Sequence, residues 1–113
     1  MKLVLQHIRR SYHREISLLE LAALADMSPN YFCRYFRKMT GQTPIEYLIT
    51  YRLESACLAL RSSDMSVTDV AFACGFNDVS HFIKTFRKVY QITPKAYREM
   101  QRATGITDGS FSK

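Results

Sequence analysis

An internal repeat constrains the fold of this chain more than any other feature of its sequence. Residues 17–47 resemble residues 66–97, which lie about 50 residues further along, and the second copy has one extra residue near Asn77. The matched positions that keep the same residue are Ser17 and Ser66, Ala22 and Ala71, Phe32 and Phe82, Phe36 and Phe86, Arg37 and Arg87, Lys38 and Lys88, Thr43 and Thr93, Pro44 and Pro94, and Tyr47 and Tyr97. A repeat of this length predicts two folding units of similar architecture.

Helix-start signals recur at equivalent places in both copies. Ser17 and Glu20 have the spacing of a capping box, in which the serine accepts from the amide three residues on and the acid reaches back. Thr43 and Glu46 repeat this spacing, and Pro44 suits the first helical position. Further caps are predicted at Ser28, Ser66, Asp78 and Thr93. These signals indicate where most of the helices begin.

The chain shows no alternating strand pattern, so we predict an all-α fold of seven helices. The expected helices lie near residues 3–13, 18–25, 29–40, 44–61, 67–74, 79–90 and 94–102. We expect residues 1–102 to form one double helix-turn-helix domain, with a first unit at about 3–42, a linker helix at about 44–61 and a second unit at about 66–102. Residues 103–113, which are rich in Gly, Ser and Thr, are expected to form a flexible tail.

The break between the first two helices of each copy is about three residues long, which is the length of a helix-turn-helix connection. In the second copy Gly75 suits a left-handed residue after a helix end, and Phe76 is expected to fold back into the core. Asp26 and Met27 take these places in the first copy, and aspartate tolerates a left-handed backbone better than most residues do. Both copies therefore predict the same tight turn.

The helix after each turn is amphipathic, with an apolar stripe and a polar outward face. The predicted stripes are Phe32, Tyr35, Phe36 and Met39 in the first copy, and Phe82, Thr85, Phe86 and Val89 in the second. The predicted outward residues are Asn30, Arg34 and Arg37, matched by Ser80, Lys84 and Arg87, with Cys33 and Ile83 on the flank. Long basic side chains in such positions can reach guanine edges or phosphates.

Composition narrows the function classes. Sixteen Lys and Arg against ten Asp and Glu give a net charge of +6, which attracts the chain to polyanions. The chain has three cysteines, an odd number, and no two of them have a Cys-x-x-Cys spacing. This favours a protein of a reducing compartment over one held together by disulfide bonds. The sequence holds no apolar run of a membrane span's length, no signal peptide, no metal-ligand spacing, no phosphate loop and no nucleophile motif. We therefore expect a cytoplasmic protein that is not an enzyme, uses no cofactor or metal and binds no membrane.

The second copy carries a longer pattern, and the chain resembles the AraC/XylS family of bacterial transcription regulators over about Val4–Met100. The stretches that carry the resemblance are Val-Thr-Asp-Val-Ala-Phe-Ala-Cys-Gly-Phe at 67–76, His-Phe-Ile-Lys-Thr-Phe-Arg-Lys at 81–88 and Thr-Pro-Lys-Ala-Tyr-Arg at 93–98. The family usually places glycine two residues before its Thr-Pro motif; Gly41 keeps it, whereas Gln91 departs from it.

The resemblance implies homeodomain-like helical units whose second helices enter DNA major grooves. It also implies promoter binding, activation more often than repression, and contact with RNA polymerase. Full-length members often carry an effector or dimerisation domain. We expect none in this chain, which is then either a stand-alone short member or an excised C-terminal domain.

Position on the outward faces assigns candidate roles toward double-stranded DNA. The predicted base-reading residues are Asn30, Cys33, Arg34, Ser80, Ile83 and Lys84. The predicted phosphate contacts are Ser17, Arg37, Lys38, Thr43, Ser66, Arg87 and Lys88. Of these, Ser17, Thr43 and Ser66 lie at helix N-termini, which are expected to offer backbone amides to phosphates.

The linker helix is expected to span about 27 Å, whereas successive major grooves lie ~34 Å apart, so off-axis mounting or DNA bending must supply the difference. Because the outward residues differ between the copies, one monomer is predicted to read a non-palindromic site. The alternative is an interaction module that uses its basic faces to bind an acidic protein.

Overall fold

The computed structural model describes residues 1–104, and over this range the chain forms seven helices and no strand. The helices are α1 (Lys2–Ser11), α2 (Leu18–Leu24), α3 (Pro29–Thr40), α4 (Pro44–Ser62), α5 (Val67–Ala73), α6 (Val79–Tyr90) and α7 (Pro94–Thr104). The predicted all-α fold is confirmed, with helix ends that agree to within about two residues. Helix α7 continues to Thr104, two residues past its expected end, and the rest of the predicted tail lies outside the described residues.

Two compact units divide the chain, with the boundary between Arg52 and Leu53. This boundary lies inside α4, so the helix expected to be a linker belongs in part to each unit. Leu48 of α4 packs into the core of the first unit. Leu53 and Leu60, further along the same helix, are fully buried and belong to the second unit.

The core of the first unit is built from α1, α2, α3, the start of α4 and the segment that precedes α2. Its buried residues are Val4, Ile8, Ile16, Leu21, Ala22, Phe32, Phe36 and Leu48. Phe32 and Phe36 are fully buried one turn apart, and the Phe36 ring meets Tyr47 edge-on with centroids 5.4 Å apart. Because burying one such ring stabilises the fold by roughly 1.5–3 kcal/mol, these two phenylalanines fix α3 to its unit.

The second unit repeats this arrangement on α5 and α6. Phe82 and Phe86 are fully buried, and Phe86 meets Tyr97 with centroids 5.7 Å apart. Phe76 is 4% exposed and packs against Phe82, so the predicted return of the turn residue into the core is confirmed.

The two turns share one backbone geometry. Gly75 has φ +100°, and the amide of Phe76 donates to the carbonyl of Ala71 at 3.0 Å. In the first unit Asp26 has φ +57°, and the amide of Met27 donates to Ala22 at the same distance. The left-handed residue predicted at each turn is confirmed, and each turn sets the direction of the helix after it.

The predicted helix caps are also confirmed. Thr43 and Glu46 form a reciprocal capping box, with each side chain accepting from the other residue's amide at 3.1 and 2.9 Å. The hydroxyl oxygens of Ser17, Ser28, Ser66 and Thr93 and the carboxylate of Asp78 also accept from first-turn amides.

The apolar stripes of α3 and α6 are shorter than predicted. Met39 is 58% exposed and Val89 is 53% exposed, so the prediction that these positions face the core is wrong. The small core of each unit covers the two phenylalanines, but it does not extend to Met39 or Val89, which lie three residues after the second phenylalanine.

Arginines from the later helices bind carbonyls at the ends of earlier ones. Arg52 of α4 donates to the carbonyls of Tyr12 and Arg14, at 2.7 and 2.8 Å, just after α1. Arg98 of α7 donates to the carbonyls of Leu60 and Ser63 at the end of α4. These bonds satisfy carbonyls that a helix end leaves without an intrahelical partner.

Candidate nucleic-acid interface

The exposed face of α3 carries the side chains predicted to read DNA in the first unit. Asn30, Arg34, Arg37 and Lys38 are exposed, and Cys33 is half-buried beside them. Two features hold this face outward: the Ser28 cap at the start of the helix, and the buried Phe32 and Phe36 on the opposite side. The structure therefore brings these predicted residues together on one helix.

The exposed face of α6 presents the equivalent set in the second unit. Ser80, Lys84, Arg87 and Lys88 are exposed, and Ile83 is 36% exposed. These five side chains and Gln91 line an open depression of about 720 Å³ along the helix. Polar and cationic groups around one apolar side chain make this surface suited to an anionic ligand with small apolar features.

We call α3 and α6 the first and second reading helices. The depression on the first reading helix lies on a different flank from that on the second. It has a volume of about 330 Å³ and is lined by Tyr31, Arg34, Tyr35, Lys38 and Met39. Two cations are thus set among two aromatic rings and a thioether. The second helix holds His81, Thr85 and Val89 where the first has Tyr31, Tyr35 and Met39.

The three predicted phosphate contacts at helix N-termini already take part in capping. The hydroxyl oxygens of Ser17, Thr43 and Ser66 accept from the amides three residues on, at 3.0 to 3.1 Å. A hydroxyl that accepts a capping bond still has its own proton to donate. Their contact with phosphate stays a prediction, and so do the base and phosphate roles of the other candidates.

Sequence reasoning missed an ionic cluster that ties α1 to the start of α2. The carboxylate of Glu20 binds the His7 ring. It also accepts a hydrogen bond from Arg14 Nη2 at 2.8 Å. The bonds from Arg14 and then His7, with a weaker one from the Ser17 amide, lower the pKa of Glu20 to about 2. Only the capping role of Glu20 is visible in the local spacing, because its partners lie 6 and 13 residues away.

A polar cluster that the sequence pattern did not indicate lies within the second unit. Burial raises the pKa of the Cys57 thiol and of the Tyr90 and Tyr97 hydroxyls. Arg61 donates to the Tyr97 hydroxyl at 3.2 Å. Because Tyr90 ends α6, the cluster helps to fix the last turn of the second reading helix.

Over residues 1–104 the chain offers little else that carries chemistry. No group of three or more His, Cys, Asp and Glu in this range is placed to hold a metal ion. Cys33, Cys57 and Cys74 form no disulfide bond. None of the described helices is both long and apolar enough to cross a membrane.

Comparison with known proteins identifies the family. A helix-turn-helix domain family matches residues 21–100. A solved regulator from Chromobacterium violaceum, described as AraC-type, has a TM-score of 0.80 and 26% identity over 87% of this chain and 88% of its own. The chain belongs to the AraC/XylS family. The predicted family and the double helix-turn-helix fold are thereby confirmed.

Two further relatives concern function. The transcriptional activator RhaS of Klebsiella pneumoniae is 41% identical over 88 residues, which are 78% of this chain and 32% of RhaS. The solved DNA-binding domain of AdpA, in complex with a target DNA, is 37% identical with a TM-score of 0.85, covering 91% of this chain and 92% of that one.

The chain spans about a third of the length of the first curated relatives it matches. These relatives are regulatory proteins rather than enzymes. The chain is thus a helix-turn-helix DNA-binding domain of this family, as the sequence predicted.

Proposed function

We propose that one copy of this chain reads a single non-palindromic promoter site, with α3 in one major groove and α6 in the next. The observation that carries the proposal is a comparison of the outward faces of α3 and α6, in which some matched positions keep the same kind of residue and others do not. Cations stand at matched exposed positions, Arg34 with Lys84 and Lys38 with Lys88. A similar backbone geometry with different base-facing groups predicts two half-sites of different sequence.

Base reading is assigned to the first two turns of each reading helix, where the N-terminal residues of a recognition helix contact base edges. Arg34 is proposed to contact guanine O6 and N7 in bidentate fashion, and Asn30 to read adenine. Cys33, half-buried on the flank, is proposed to lie against a base edge. In the second unit Ser80 and Lys84 are proposed to read polar edges, and Ile83 a thymine methyl.

Phosphate contacts are assigned to the later turns and to helix starts. Arg37 and Lys38, with their equivalents Arg87 and Lys88, are exposed in the last turns of the reading helices. Ser17, Thr43 and Ser66 are proposed to add hydroxyl donors from the starts of α2, α4 and α5. Such contacts fix orientation on the duplex without selecting bases.

The biological effect proposed is activation of transcription through contact with RNA polymerase, without catalysis by the chain itself. The description of the RhaS relatives as activators supports this direction. Binding to chromosomal DNA would place the protein on the nucleoid, in the cytoplasm.

The test is selection from a random DNA pool, followed by hydroxyl-radical footprinting and gel shifts across a salt series. We expect an asymmetric site in which one chain protects two segments about one helical turn apart. Because phosphate binding releases counterions, the logarithm of affinity is expected to fall steeply with the logarithm of salt. A symmetric site filled by two chains contradicts the single-copy arrangement. Weak binding without sequence preference would instead favour the alternative, in which the basic faces bind an acidic protein.

A further inference from the structure

The first reading helix carries exposed apolar groups directly beside its cations. Tyr31 is 52% exposed and Met39 is 58% exposed. The rings of Tyr31 and Tyr35 are stacked, with centroids 6.4 Å apart and an interplanar angle of 17°. We call these three residues the tyrosine flank. The buried residues of α3 are Phe32 and Phe36, so the core does not account for the exposed side chains of the flank.

The flank forms one surface with Arg34 and Lys38. All five side chains line the same depression of about 330 Å³. Tyr31 lies three residues before Arg34 and four before Tyr35, spacings that place side chains next to one another on a helix surface. A ligand that covers this surface must offer both negative charge and apolar groups. DNA offers both, with phosphates on its backbone and thymine methyl groups in the major groove.

Position along the helix favours a base over the backbone for Tyr31. It is the third residue of α3, in the N-terminal turn that meets base edges when such a helix docks. Tyr35 lies one turn later and half-buried, so its ring backs that of Tyr31. The second reading helix has no counterpart, since His81 and Thr85 occupy the equivalent positions.

We propose that the Tyr31 ring, backed by Tyr35, contacts the 5-methyl group of a thymine in the half-site read by α3. Tyr31 is then a specificity-determining residue that selects thymine over cytosine at that position, and Tyr35 is a positioning residue. This inference rests on the proposed function, because it requires α3 to lie in a major groove.

The experiment removes the methyl group from the DNA. Each thymine of the selected α3 half-site is replaced singly by deoxyuridine, and affinity is measured by fluorescence anisotropy. We expect one position at which the replacement weakens wild-type binding about 3–5-fold, which is the effect of losing one buried methyl group. The Y31A variant is expected to bind the thymine and uracil sites equally well.

Three variants separate the contact from general damage. Y31F keeps the ring and is expected to keep the preference for thymine, as is H81A at the equivalent position of α6. Y35T inserts the residue that α6 has and is expected to reduce the preference. Because Tyr31 is exposed, circular dichroism and thermal melting should show that Y31A is folded, and Y31S serves as a second variant if it is not.

Two outcomes overturn the inference. One is a selected α3 half-site in which no thymine methyl affects affinity; the other is a preference that persists unchanged in Y31A and Y31S. Either result leaves the proposed function standing if the wild-type chain still binds its site specifically and an asymmetric footprint is seen. Loss of specific binding by the wild-type chain, by contrast, removes the proposed function itself.

Discussion

The two reading helices have the same frame but different outer surfaces. Both α3 and α6 have 12 residues, begin at a capped N-terminus, hold two fully buried phenylalanines and end at a left-handed residue. On the outside, α3 carries aromatic groups beside its cations, whereas α6 carries Ile83 among cations. The comparison shows that the residues that position a helix repeat in both units, while several exposed residues differ, such as Tyr31 against His81 and Asn30 against Ser80. In the proposed function, this division allows one architecture to read two different half-sites.

At the turns and at the ends of the reading helices, the two units adopt the same left-handed backbone conformation with different residues. Gly75 and Asp26 are both left-handed at the turns, and so are Gly41 and Gln91 at the ends of the reading helices. In each pair one unit uses glycine and the other an L-residue that bears strain. Local preference for glycine therefore does not alone set these conformations, because Asp26 and Gln91 adopt them as well.

The largest effect expected is on the shared frame. Truncation of a fully buried phenylalanine leaves a cavity, so F36A and F86A should each lower the free energy of unfolding by about 3–5 kcal/mol. Urea denaturation followed by circular dichroism measures this. M39A and V89A are the matched controls, and their exposed side chains predict changes below about 0.5 kcal/mol. A large loss of unfolding free energy in either control variant would indicate that Met39 or Val89 does contribute to the core.

The next effect concerns the difference between the outer surfaces. R34A should weaken specific binding by about 1–3 kcal/mol and relax selection at one base of the first half-site. K88A should weaken binding to all sequences alike and flatten the salt dependence, because a phosphate contact carries no sequence information. Gel shifts against a panel of single-base variants, at several salt concentrations, compare the two. Equal, sequence-independent losses from both would contradict the division into base and phosphate contacts.

A smaller effect is expected at the ends of the reading helices. Added to Gly41, a Cβ meets no atom within 4 Å, so G41A should lower the free energy of unfolding through backbone strain alone, by about 1 kcal/mol. Q91G should act in the opposite direction, because it relieves the same strain at φ +65°. The stability gained by Q91G should be smaller than the stability lost by G41A, for two reasons. The substitution removes the hydrogen bond from Gln91 Nε2 to the Lys88 carbonyl, at 3.1 Å. Glycine also increases the conformational entropy of the unfolded chain. Thermal melts of both variants test the signs, and Q91A, which keeps the strain and loses the bond, should melt below wild type.

The smallest expected effect is a difference in acid stability between the N-terminal cap of α2, which contains Glu20, and that of α5. Since the folded pKa of Glu20 is about 2, below its usual 4.5, its ionised form stabilises the first unit. This contribution is fully present above pH about 4.5 and is lost as the pH falls toward about 2. E20Q should therefore show a shallower loss of stability than wild type in acid denaturation over that range. D69N alters the matching cap of α5 and serves as the control; an identical acid profile for E20Q and wild type would contradict the assignment.

Local sequence predicted most of the fold, because the signals that specify it span only a few residues. Capping boxes such as Thr43 with Glu46 set where helices begin, and Gly75 with Phe76 marks the turn. The predicted outward side chains, including Arg34 and Lys84, are exposed as expected. Their roles toward DNA depend on a ligand, so the chain alone does not test them.

By itself the sequence determined the seven helices, the duplicated unit and the outward position of the cations, since periodicity and capping act within one or two turns of a helix. Only the tertiary structure decided which positions of each stripe are covered, leaving Met39 outside, and which distant groups meet. Arg52 reaches carbonyls 38 and 40 residues earlier in the chain. The depth of a core and the partner of a long side chain both depend on how whole helices pack, and no window of neighbouring residues contains that information.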